Sequence, residues 1–179
     1  MTAPNTVQAS SSLNASTLLP IEMAFGDFAG EFASTRRVLE RYPEASGAWR
    51  PHEKSRSLSE VATHVADIVN RGTSIRTTPG MDMATRTPVA PLDSAGELLA
   101  LFDGGVARFQ EAMRSATSDA LKEVWTLRAG PRVVLERQKG ELLRFMMMSH
   151  MIHHRAQLGV YYRLLGVPVP GVYGPSADE

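Results

Sequence analysis

The sequence has no cysteine, no net charge and no long apolar run, and each absence removes a class of protein. Without cysteine the chain itself supplies no thiolate nucleophile, no disulfide framework, no iron–sulfur cluster and no zinc site built on sulfur. Nineteen Lys and Arg against nineteen Asp and Glu leave a formal charge of zero. The electrostatic term that dominates nonspecific nucleic-acid binding is therefore missing, and no dense basic run restores it locally, so nucleic acid is not an expected partner. The most apolar stretch, Phe145 to Ile152, is short and carries a histidine, far below the ~20 residues of a membrane span. The first 17 residues contain no Lys or Arg and no apolar run, so they do not read as a secretory signal. The expectation is a cytoplasmic protein with no membrane partner.

What is present reads as one folded domain. With 179 residues and 43% apolar content, the chain can bury a single core without disulfides or a partner. Residues 1–17 read as a flexible tail and residues 18–179 as the domain. Helical spacing of apolar residues marks four segments. The first runs from about Leu19 to Tyr42 along a stripe that includes Phe25, Phe28, Phe32, Thr35, Val38 and Leu39, and Pro43 ends it. The second opens at a Ser57/Glu60 capping box and is expected to close at Gly72. A third starts at Ser94 with Glu97 three residues on, and Gly104 and Gly105 predict a bend in its middle. The fourth spans Glu136 to Leu165, stopped by Gly166 and Pro168. No sustained strand alternation is read. The expected fold is all-α: a four-helix bundle with a long helix 2–helix 3 connection and flexible N- and C-terminal tails. That connection, Gly72 to Asp93, is 22 residues rich in Pro and Gly. A lid or binding loop and a partly disordered crossover fit such a length equally well.

The chemistry lies in His150–Gln157, HMIHHRAQ. Positions i and i+4 of a helix differ by about 40° in direction, so His150 and His154 can share one ion, while His153 points elsewhere. A pair is not a site, because zinc usually takes at least three protein ligands. His64, flanked by Val61, Val65 and Ile68 on a core-facing side, is the candidate third. On spacing alone its plainer reading is a hydrogen-bonded structural histidine, and the 150/154 pair reads as well without a metal as with one.

Two stretches carry a resemblance: WRPHEKSRSLSEVATHVADI from Trp49 to Ile68, and HMIHHRAQLGVYYRLLGVPVPGVYGPSADE from His150 to the end. They resemble the DinB-like (DinB/YfiT) superfamily, in which an S-L-x-E-x-x-x-H element on helix two and an H-x-x-x-H-R-G-Q element on helix four supply three metal ligands. The resemblance covers most of the chain from Leu19 on and implies His64, His150 and His154 as ligands. Ala156 stands where the pattern has glycine, and a methyl there is expected to tighten packing behind the site. Members of the superfamily include thiol-cofactor-dependent S-transferases, a maleylpyruvate isomerase that uses mycothiol, and hydrolases assigned without characterisation.

The resemblance thus implies a metal-dependent enzyme, a hydrolase or a thiol-dependent transferase, acting on a small-molecule substrate and working as a homodimer. The alternative is a noncatalytic, metal-stabilised helical dimer with a stress-response role. Three neutral imidazoles leave a divalent ion its full charge and an open position; zinc or nickel suits them best, with iron, cobalt or manganese as further candidates. A reactive thiol, if one is used, arrives as an external low-molecular-weight cofactor. No catalytic acid or base is named. Glu60 reads as a capping residue, Asp67 as a solvated helix face, and Arg155 and Gln157 as structural or interface residues. His153 is an uncertain neighbour and His52 a surface bystander. Met146 to Met148, Tyr161, Trp49 and Trp125 read chiefly as core.

Overall fold

The computed structural model describes residues 28–179. The tail expected over residues 1–17 and the expected start of the first helix from Leu19, with Phe25, lie outside them. Helix α1 is Phe28–Leu39, α2 Leu58–Thr77, α3 Ala95–Arg114 and the short α4 Ser118–Lys122. The last helix has three parts: α5 at Lys139–Leu142, a π-helical segment at Leu143–Ser149 and α6 at His150–Leu164. No helix among the described residues is long and apolar enough to cross a membrane.

Local sequence explains where α2 and α3 begin. Ser57 accepts from the Glu60 amide at 3.3 Å while the Glu60 carboxylate takes the Ser57 amide at 2.6 Å, a complete capping box. Ser94 caps α3 in the same way with the Glu97 amide, but Glu97 returns to the Ser94 hydroxyl instead of its amide. Helix α3 runs unbroken through Gly104 and Gly105. Helix α2 does not close at Gly72; it continues to Thr77, with Gly72 buried inside it. A Cβ there would collide with the Met147 sulfur and stand 3.1 Å from the Phe109 ring, so this glycine permits close packing instead of ending a helix.

Helix α1 packs on α3 and α6, and α2 packs on the same two partners. Each contributes its apolar stripe to one core: Phe28, Phe32, Phe102 and Phe109 meet edge to face at centroid distances of 5.5–6.2 Å. Met146, Met147 and Met148 are all buried within the π-helical segment, where flexible thioethers fill its irregular surface.

The protein is mostly helical, yet not all-α. Gly80–Asp82 (β1), Val124–Ala129 (β2) and Arg132–Gln138 (β3) form a three-stranded sheet in that order, β1 parallel to β2 and β2 antiparallel to β3. Strand β2 turns Trp125 and Leu127 inward, and Gly130 at φ +59° starts the two-residue turn to β3, a backbone conformation that glycine tolerates best. Glu136 therefore belongs to a strand, and the final helix starts at Lys139, whose ammonium reaches Glu123 at 2.7 Å. Trp125 is fully buried and donates to Thr78 Oγ1 at 3.2 Å, which fastens the sheet to the end of α2.

The C-terminal segment is docked, contrary to the expectation of a flexible tail. Arg163 grips Asp178 with two bonds of 3.0 and 2.6 Å, and Asp178 also takes the Val169 amide at 2.8 Å. Tyr173 donates to Glu31 at 2.7 Å and accepts from Arg155 at 2.8 Å. Arg155 is the buried hub. It donates to the Glu31 carbonyl and to Thr35 Oγ1, both at 3.1 Å, and its Nη2 lies 2.8 Å from Glu31 Oε2, close enough to pair in charge but out of line for a directed bond. Removing one partner of a buried pair leaves the other charge uncompensated. Arg155→Met should therefore lower unfolding free energy by about 3–5 kcal/mol in denaturant titration, and adding Glu31→Leu should recover a substantial part; a loss below 1 kcal/mol in the single variant contradicts the role.

Candidate metal centre and adjoining cavities

Helix α2 carries His64 at the edge of a face whose neighbours Val61, Val65 and Ile68 are buried. Helix α6 carries His150 and His154 one turn apart. Packing of α2 on α6 brings the three imidazoles together, with ring centroids 4.6–4.9 Å from one another. The Nε2 atom of His150 lies 3.3 Å from that of His64 and 2.8 Å from that of His154. One ligand atom from each residue fits in a group no wider than 4.8 Å.

Tautomers show what this group is fit to hold. His154 Nδ1 faces Gln157 Oε1 at 2.6 Å, an acceptor, so Nδ1 carries the proton. The His154 Nε2 atom then presents a lone pair toward His150 Nε2 at 2.8 Å, and a cation between the rings would take it. Nitrogens bound to one ion at ~2.0–2.1 Å in tetrahedral geometry stand about 3.4 Å apart, close to the His64–His150 separation. The donor set fits a divalent ion. Burial, then His154 and His150, then Arg56 and Arg71, hold the His64 pKa down to about 3. Burial, His154 and Arg71 hold that of His150 to about 4 against the Met146 bond. Burial lowers that of His154, opposed by Gln157. All three are neutral at pH 7, the form that ligates.

Two cavities flank the triad. A cleft of about 440 Å³ is lined by His64 with Arg56, Glu60, Asp67, Arg71 and Arg86. A second space of about 350 Å³ is lined by His150 with Phe145, Met146, Ser149 and His153, and Arg71 borders both. The 78–93 connection is ordered and forms one side of the cleft with Arg86, Pro88, Val89 and Pro91. It is held by Arg86 to Asp67 at 2.7 Å, by the Leu92 amide to Thr63 Oγ1 at 2.7 Å, and by Tyr42 to Asp93 at 2.6 Å.

The sequence profile of the DinB family matches residues 24–179. The chain belongs to the DinB family. A DinB-like protein of Bacillus subtilis superposes at TM-score 0.60 with 18% identity, over 85% of this chain and 94% of that one. A DinB-like protein of Bacillus cereus does so at 0.60 with 23% identity, over 80% and 91%. The uncharacterised protein YrdA of Bacillus subtilis strain 168 is 48% identical over 40 residues, 22% of this chain and 23% of that one. That match thus spans about a quarter of the relative's length.

Within this DinB-family chain the structure sorts the residues around the triad. His64, His150 and His154 converge. His153 is exposed, its ring 4.8 Å from that of His154, on the wall of the second cavity. His52 is an exposed loop residue whose Nδ1 accepts the Lys54 amide. Ala156 is exposed, so its methyl tightens nothing. Asp67 is not a solvated face: with its side chain 14% exposed it holds Arg86 and Asn70. Gln157 is not merely structural, since it bonds the His154 ring of the triad. It stands seven residues after His150, two full turns, and that spacing alone puts it on the ligand face. Arg71 stands seven after His64 and was open to the same count.

Gln157 holds the His154 ring in the ligating tautomer, so Gln157→Leu should weaken zinc affinity about 10–100-fold in competition titrations while the helical circular-dichroism spectrum is unchanged; wild-type affinity would remove the role. An imidazole with a lowered folded pKa binds fewer protons folded than unfolded, so stability rises with pH between the two values. Metal-free protein should therefore lose melting temperature as pH falls from about 6.5 toward 4, and His64→Gln should flatten the slope between pH 6.5 and 5. A slope equal to wild type would refute the assignment.

Proposed function

We propose that this chain is a metal-dependent enzyme: His64, His150 and His154 hold one divalent ion beside the cleft, and the protein acts on a small molecule by hydrolysis or by S-transfer with an external thiol. The observation that carries this reading is the convergence of three neutral imidazole nitrogens, and of no fourth His, Asp or Glu among the described residues, beside an arginine-lined cleft. Three-ligand sites with an open position are typical of catalysis, whereas structural sites are closed by four ligands. When bound, a divalent ion supplies Lewis-acid polarisation and lowers the pKa of a protic group placed on it.

The chain's own residues divide the remaining work. Gln157 keeps the His154 lone pair aimed at the ion. Arg56, Arg71 and Arg86 make the cleft attractive to negative charge. Glu60 is committed to its capping box and Asp67 to Arg86, so neither is a free base. Zinc or nickel suits an all-imidazole set best, and any sulfur nucleophile comes with the cofactor because the chain has no cysteine. One observation favours the second reading, a noncatalytic ion that staples the fold: the ligands join two separate helices.

Protein purified without chelator should carry close to one divalent ion per chain by elemental analysis, and His154→Ala should lose it. Ester hydrolysis or thiol conjugation that disappears with chelator and returns with added metal supports the enzyme. Turnover of neither substrate class with zinc, nickel, iron, cobalt or manganese, together with a fall in melting temperature on chelation, decides for the staple.

A further inference from the structure

Among the described residues, the arginine beside the triad has no carboxylate partner. Arg71 sits two turns after His64 on α2, half-buried at the border of both cavities. No carboxylate among the described residues lies within ion-pair distance of it, and its Nε is buried without a hydrogen bond to them. Its hydrogen-bond contact among the described side chains is a long one, 3.4 Å to His150 Nδ1, and a neutral imidazole brings no counter-charge. The nearby carboxylate, Asp67, is occupied by Arg86 and Asn70. A guanidinium withdrawn from water without a counter-charge is costly to the fold, and such a cost at a site is commonly retained for what binds there.

The charge balance limits the ligand. Three arginines and two carboxylates line the cleft, which leaves one positive charge. Guanidinium offers a planar fork that matches a carboxylate in bidentate fashion. On the other side of Arg71 the second cavity is overwhelmingly apolar, walled by Phe145 and Met146, and Phe145 keeps 59% of its surface exposed, a large apolar side chain with nothing yet packed on it. One ligand can satisfy both features: a carboxylate on Arg71, which borders both spaces, and an apolar body against Phe145 and Met146, with His150 in the wall of the second.

We propose that Arg71 is the anchor for a monocarboxylate substrate whose apolar portion occupies the Phe145–Met146 cavity beside the triad. This deepens the enzymatic reading above by naming its substrate class, and its test is arranged to fail separately. Binding is measured by titration calorimetry on the full chain in chelator, so that no carboxylate can ligate a metal. The probes are straight-chain monocarboxylates from butanoate to decanoate, and 1-octanol.

Octanoate should bind at least about tenfold more tightly than 1-octanol, the value of a charge-assisted pair, and Arg71→Gln should abolish that preference. Phe145→Ser should weaken octanoate more than butanoate. Because Arg71 pairs with no carboxylate among the described residues, Arg71→Met should melt at or above the wild-type temperature. Equal binding of octanoate and octanol, retained preference in Arg71→Gln, or a drop of more than about 5 °C in Arg71→Met each overturns the proposal, the last by making Arg71 structural. Absence of a bound metal in elemental analysis would sink the enzymatic reading and leave these titrations unaffected.

Discussion

The packing of α2 against α6 is the contact on which the rest of the site depends. Val61, Val65 and Ile68 on one helix and Met151, Leu158 and Tyr162 on the other are buried, and the apolar area they remove from water sets the distance between the two backbones. His64, His150 and His154 ride at the edge of that interface. They are too enclosed to be protonated at neutral pH and too close for their lone pairs to ignore one another. Hydrophobic packing thereby creates an electrostatic demand that a cation could answer. The complete burial of Leu58, Leu158 and Tyr162 keeps the distance from relaxing.

Around this centre the less regular parts of the chain have definite duties. The π-helical segment just before His150 turns Phe145 toward the second cavity while it buries three consecutive methionines, a use of π geometry next to a site that is met repeatedly in proteins. The 78–93 connection supplies no ligand to the triad, yet it builds a wall of the cleft, and the Arg86–Asp67 pair closes it onto α2. Arg155, next to a ligand in sequence, points to the opposite side and ties α1 and the C-terminal segment to α6. Adjacent residues on one helix thus serve the site and the scaffold separately, because 100° of rotation divides them.

Much of this was open to sequence reading, for identifiable reasons. Helical apolar spacing and the Ser57/Glu60 and Ser94/Glu97 caps are local signals, and the starts of α2 and α3 fall where they indicate. The i,i+4 histidines needed only helix geometry. The hairpin was obscured because only Trp125 and Leu127 of β2 face the core, while β3 is largely exposed, so alternation is short and one-sided. Gly72 resembles a helix stop in sequence; its real reason is the approach of Met147 and Phe109, residues 37 and 75 positions away. The roles of Gln157 and Arg71 needed a count of two turns along a helix, while those of Asp67 and the docked C-terminal segment required partners distant in the chain.

The sequence by itself determined the helical character, the caps, the all-imidazole ligand candidates and the absence of any internal thiol, because these depend on residue type and on spacings within one or two turns. Tertiary structure alone decided that His64 stands with the pair on α6, that one arginine next to them pairs with no carboxylate among the described residues, and that polar and apolar cavities meet at that arginine. Those facts depend on which surfaces bury each other, a balance over the whole core that no local stretch encodes.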